Sequence, residues 1–151
     1  LIARPLATNR RVLCAAPSYL QRKGTPEHPQ QLADFDHIVA GQSGWSSEWR
    51  LHRGEEVMLF KVPLEAARET NDGALARQWA IDGHGIVLKS IWDVSADLAA
   101  GRLSLVLPQW QSDEAPVYAL YPRSRYLAPR VRALLDFLCE RFEQASRETA
   151  L

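Results

Sequence analysis

The sequence has little that would staple, anchor or polarise a chain. Cysteine occurs only at Cys14 and Cys139, far apart and with no Cys-x-x-Cys or His pairing. Neither a disulfide framework nor a zinc site is implied, and Cys14, inside an apolar run, is expected to be a packed thiol in a reducing cytosol. No charge of one sign prevails: Lys and Arg total 18, and so do Asp and Glu. That balance argues against a surface that grips phosphates, because non-specific nucleic-acid affinity comes from neutralising them. No apolar run approaches the ~20 residues of a membrane helix. The start, Leu1-Ile2-Ala3-Arg4-Pro5, has no signal core and no initiator methionine, so a piece of a longer polypeptide is expected.

What is present is ordinary for a folded protein. The 151 residues are 46% apolar and 24% charged, which suits one domain or two small lobes and excludes disorder as the main state. A chain of this length buries roughly 70% of its unfolded surface, enough for a core without staples. Strands are predicted at Arg10–Ala16, His37–Ala40, Trp49–Leu51, Val57–Val62, Gly85–Leu88, Leu103–Leu107 and Pro116–Tyr121. Helices are predicted from Pro17 to Gly24, after a cap at Asn71 or Asp72 up to Gly83, from a Ser90 capping box to Gly101, and from Pro129 onward. The last should carry Val131, Leu134, Leu135, Leu138 and Phe142 on one stripe. Alternating strands and helices predict an α/β fold with a largely parallel sheet.

Catalytic motifs are missing. There is no Gly-x-Ser-x-Gly elbow, no His-Glu-x-x-His and no P-loop, and Gly83-His84-Gly85 follows a helix instead of opening one. His28, His37, His52 and His84 lack metal-ligand spacing, so no metal or cofactor is implied. Arg123, Arg125, Arg130 and Arg132 cluster near a helix start and read as a solvated rim. Two places suit a small ligand. Gln42-Ser43-Gly44 follows a strand, and Thr70-Asn71-Asp72-Gly73 opens a helix whose first N–H groups favour an anion. On spacing alone an ordinary turn and an ordinary cap are the favoured explanation of both.

Whole phrases nevertheless resemble one family. Arg10–Leu20, Gly24-Thr25-Pro26 and Pro29–Leu32 look like the middle of the effector domain of LysR-type transcriptional regulators. Ala80–Ile86 resembles that family's Ala-Gly-x-Gly-Ile phrase, and Asp97-Leu98, Gly101-Arg102-Leu103, Val106-Leu107-Pro108 and Trp110 resemble the phrase that follows it. Tyr118–Pro122, Arg125, Pro129–Arg132 and Phe137 are similar to its closing strand and helix. The likeness runs in one order from Leu1 to about Phe142. Lys89-Ser90 stands where the family often has proline, and Ala128 where a serine cap is common.

The resemblance implies a periplasmic-binding-protein-like (type 2) effector domain of two lobes, lobe two complete and lobe one partial. It implies lobe two over residues 38–111, with 1–37 as partial lobe one and a crossover strand, and 112–151 as the return strand and a lobe-one helix. It also implies a cytoplasmic sensor, not an enzyme. A small, anionic co-inducer would bind between the lobes, and a homodimer or tetramer would hold promoter DNA through an N-terminal helix-turn-helix outside this chain. The alternatives are a solute-binding protein of a transport system and a fragment of an α/β enzyme. The expected effector-binding residues are Ser43, Gly44, Thr70, Asn71 and Asp72. Apolar surface is expected on Val12–Ala16 and on the Val131–Phe142 stripe. Self-association is expected through the helix at 72–82, with Leu75, Ala76, Trp79 and Ala80 buried and Arg77 facing a partner.

Overall fold

In the computed structural model, which describes residues 1–41 and 47–149, the chain forms two compact units: residues 10–113, and residues 1–9 with 114–151. The segment 10–37 thus belongs with the central part of the chain, not with the terminal segments.

The larger unit is built on a five-stranded sheet. In chain order its elements are β2 (Arg11–Ala15), α1 (Pro17–Lys23), a 3-10 helix (Pro29–Asp34), β3 (His37–Ala40), β4 (Glu48–Arg53), β5 (Glu56–Lys61), β6 (Arg68–Thr70), α2 (Gly73–Ile81), β7 (Ile86–Ser90), α3 (Ile91–Ala100), β8 (Ser104–Leu105) and β9 (Gln111–Ser112). The main sheet runs β6-β3-β7-β2-β8, and a second sheet runs β5-β4-β9. Only β3 with β6 and β3 with β7 pair in parallel; β2 pairs antiparallel with both β7 and β8. The expectation of a largely parallel sheet is therefore corrected to a mixed one. The β6–α2–β7 and β7–α3–β8 stretches each join strands of one direction through a helix, β2 is the strand that runs against them, and β4 and β5 fold back as an antiparallel hairpin.

Alternation decides which side of the sheet each residue serves. Along β2, Leu13 and Ala15 enter one core cluster with Val39, Trp49, Leu51 and Ile86, while Val12 and Cys14 enter another with Ile38, Val87, Ala76 and Val94. A strand covered on both faces must be apolar at every position, which is why β2 reads as an unbroken apolar run. The expectation of exposed apolar surface on Val12–Ala16 is accordingly wrong: these residues are all buried, with β7 and β8 on either side. Burial pushes the Cys14 thiol up to about 12, so it is inert as a nucleophile.

Helix ends follow their local signals. Asp72 caps α2, its Oδ1 accepting the N–H groups of Ala74 (2.9 Å) and Leu75 (3.3 Å). At the other end the N–H of His84 reaches the carbonyl of Trp79 and Gly83 adopts φ +85°. Gly85 is required for a different reason: a Cβ there would lie 2.6 Å from the backbone oxygen of Asp36. The predicted strand at 103–107 shrinks to Ser104–Leu105, because Leu107 takes φ +50° and bends the chain away.

Asp97 of α3 ties the helices together. Fully buried, it accepts Arg77 Nε (2.6 Å) and Nη2 (2.7 Å) from α2, and Arg102 Nε (2.7 Å). Arg77 is thus engaged within its own chain while its side chain stays part-exposed, and a glutamate there would press a second carboxylate against Asp97. Leu75, expected to be buried, is 40% exposed.

The smaller unit comprises β1 (Ile2–Ala7), β10 (Val117–Tyr121) and α4 (Pro129–Thr149). The two strands pair antiparallel with an irregularity between Pro5 and Ala7, and Arg4 ion-pairs with Asp136 of α4 at 2.9 Å. On α4, Leu135 is buried, but Leu134 and Phe137 are exposed, as are Tyr118 and Leu120 of β10. The expected apolar stripe of α4 is thus buried at Leu135 and open at Leu134, in keeping with the apolar surface expected there. Among the described residues, no helix is long and apolar enough to cross a membrane.

The Arg77 hydrogen bond, supported by Arg102, holds the Asp97 carboxyl below its usual range against the opposing effect of burial. A carboxyl depressed in the folded state adds stability that is complete above its unfolded value of about 4 and fades as pH falls through the folded value. Asp97→Asn is expected to cost about 2–3 kcal/mol at neutral pH through weakened charge-assisted hydrogen bonds. Urea unfolding should show that gap closing below about pH 4; a gap independent of pH would contradict this account of Asp97.

Candidate functional site

The parallel strands bring their carboxyl ends to one edge of the main sheet. Ala40 and Gly41 lie at the end of β3, Asn71 just past β6, and Lys89 and Ser90 at the end of β7; all five line one cavity of about 300 Å³. The N-termini of α2 and α3 open on the same place, through Gly73 and Asp93, and Arg11, Glu48 and Trp49 complete much of the wall. This is where α/β sheets hold ligands: the strands run out, so the apolar requirement ends, and helix N–H groups converge. The neighbouring strand ends are fixed in register, with Ala40 opposite Thr70 and the Gly41 N–H donating to the Thr70 carbonyl at 3.0 Å.

The expected site residues divide. Ser43 and Gly44 lie outside the described residues. Thr70 and Asp72 build the turn: the Asp72 N–H donates to Thr70 Oγ1 at 3.0 Å, and the Asp72 carboxylate is taken up by the helix cap. Asn71, between them, is the one of the three that lines the cavity.

Lys89 was missed as a site residue. Only 7% exposed, its Nζ donates to the Gly73 carbonyl (3.1 Å) and pairs with Asp93 (2.8 Å), a carboxylate that itself reaches solvent. Glycine at position 73 suits this contact, since a Cβ there would stand 3.0 Å from Nζ. The available signal was a cation ending an otherwise apolar strand, immediately before a serine helix cap. Ser90 supplies that cap, accepting the Trp92 N–H at 3.3 Å. Among the described residues neither Arg11 nor Glu48 has an ion-pair partner.

Nothing in this arrangement resembles a catalytic constellation. The most perturbed histidine, His37, is buried away from the cavity wall, bonded to the Leu32 carbonyl and flanked by Trp49 and Phe60; burial lowers its pKa. Among the described residues no group of His, Cys, Asp and Glu could hold a metal ion.

A mixed sheet with its cavity at the strand ends, fed by two helix N-termini, is a ligand-binding α/β module. Residues 1–143 match the LysR substrate binding domain, and the chain belongs to that family. It is 37% identical over 147 residues to the HTH-type transcriptional regulator DmlR of Escherichia coli K12, covering 95% of this chain and 46% of that protein. It is 36% identical over 138 residues to the HTH-type transcriptional activator TtdR of the same strain, covering 91% and 44%. The regulatory domain of CrgA, a LysR-type transcriptional regulator from Neisseria meningitidis, superposes with a TM-score of 0.81 at 29% identity, covering 93% of this chain and 68% of that one. The chain thus spans a little under half the length of these curated relatives.

Because Asp72 caps α2 with two hydrogen bonds, Asp72→Ala should cost about 1 kcal/mol in urea unfolding without loss of the folded state. A change within error would show that the cap contributes nothing to stability.

Proposed function

We propose that this chain is the effector-sensing part of a LysR-type transcriptional regulator, in which a small molecule held at the strand ends alters how the whole protein engages promoter DNA. The observation that carries this reading is the meeting of three parallel strand ends and two helix N-termini at one polar-walled cavity. Ser43, Gly44, Thr70, Asn71 and Asp72 are assigned to the effector site, Asn71 as a wall and Thr70 and Asp72 as the turn that positions it. The larger unit is assigned to lobe two with its crossover strand, within which residues 38–111 form the lobe itself.

The regulators among the relatives support sensing over transport, and among the described residues the lack of a nucleophile–base pair at the cavity supports binding over catalysis. The carrier of DNA recognition would be a helix-turn-helix elsewhere in the whole protein, as the names of both relatives indicate for themselves. The setting would be the cytoplasm. Homodimeric or tetrameric assembly fits the half-exposed Leu75 on α2.

In the complete regulator, Asn71→Leu should abolish most of the small-molecule-dependent change in a promoter–reporter fusion while leaving promoter binding in a gel shift intact. Full response in the variant would remove Asn71 from the site. Chemical conversion of the bound small molecule, followed by NMR, would replace sensing with catalysis.

A further inference from the structure

We infer that Lys89 is the specificity-determining residue of this cavity and that it selects a small carboxylate anion. The inference rests on reading the cavity as the effector site and goes beyond it by naming the chemistry recognised.

A lysine ammonium has three N–H donors. Two are engaged, by the Gly73 carbonyl and by Asp93, and among the described residues the third has no protein acceptor. An ammonium that is nine-tenths buried is costly unless its hydrogen bonds are completed. Lys89 is also held in place: α2 presents its first carbonyl from one side and α3 its first-turn carboxylate from the other. A ligand oxygen arriving in the cavity would meet a positioned donor with little left to order.

Formally, the lining charges cancel, with Lys89 and Arg11 against Asp93 and Glu48. Position breaks the tie. Asp93 is 54% exposed, and Arg11 and Glu48 are exposed as well, so solvent screens all three, whereas the charge on Lys89 acts from the buried wall, where the effective dielectric is lower. The inner part of the cavity is therefore positive and its rim mixed. The N-terminus of α3, capped by the neutral Ser90, adds to the same sign, whereas that of α2 is offset by the Asp72 carboxylate that caps it. A cavity of about 300 Å³ lies at the small end of ligand sites, which suits a compact carboxylate and not a cofactor-sized molecule. The unpaired Arg11 offers a second, more flexible contact at the rim.

The test uses the whole protein and a panel of two- to six-carbon mono-, di- and hydroxycarboxylates, each beside its neutral amide, followed by calorimetry and amide NMR. At least one carboxylate should bind and shift the amides of Ala40–Gly41 and Asn71–Gly73, while its amide binds about tenfold more weakly or worse. Lys89→Met should lose at least about tenfold of that affinity with its fold retained. Asp93→Asn, altering an exposed side chain, should tighten carboxylate binding several-fold by removing a competing charge, and it carries the test if Lys89→Met does not fold. Equal affinity in Lys89→Met, or no gain in Asp93→Asn, overturns the role of Lys89 and leaves the cavity assignment standing. Binding of amides as well as carboxylates, or of no carboxylate, overturns the anion class. Shifts confined to amides far from the cavity overturn the site assignment itself.

Discussion

Coverage of the central sheet on both faces is the constraint from which the rest of this protein follows. With one core cluster on each side, the successive residues of β2, β3 and β7 have no solvent-facing position to give to polar chemistry. Polar groups are admitted only where the strands stop. The mixed direction of the sheet then matters, because β3, β6 and β7 stop at the same edge, and the helices that follow β6 and β7 must begin there. A binding cavity at that edge is a consequence of the topology before any particular side chain is chosen.

Lys89 sits at the limit of this rule. Val87, two residues earlier on the same face of β7, is sealed into the core, whereas Lys89 needs acceptors, and both are supplied by the first turns of the flanking helices. Those helices are in turn joined through Asp97, whose carboxylate is gripped by an arginine from α2 and by Arg102 just beyond α3. The fork and the lysine lie along the same pair of helices, so the relative placement of α2 and α3 is fixed both at the cavity and away from it.

Local features were legible in the sequence where a single residue type had a single physical use. Asp72 and Ser90 cap helices as their chemistry suggests, the turn at Gly83 closes α2, and the apolar run at 12–15 is buried in a strand. The family phrases led to the correct fold. What stayed hidden depends on distant partners. β1 is interrupted by Pro5 and is a strand only because β10 lies beside it, and β9 is two residues long and exists only through β4. Helical periodicity placed Leu134 and Leu135 on one stripe, but it could not say which edge of that stripe faces inward. Lys89 was visible as a departure from the family pattern, yet its meaning required Gly73, sixteen residues earlier, to be brought alongside it.

The pairing of β1 with β10 joins Ile2 to Tyr121, while everything between Arg10 and Asp113 closes upon itself. The larger unit is one uninterrupted stretch of chain, whereas the smaller unit is assembled from two stretches more than a hundred residues apart. Bringing such sequence-distant segments together carries a loop-closure cost that falls on the smaller unit. Tyr118 and Leu120 of β10 leave exposed apolar surface in the same unit, so the long-range closure and that surface coincide in one part of the chain.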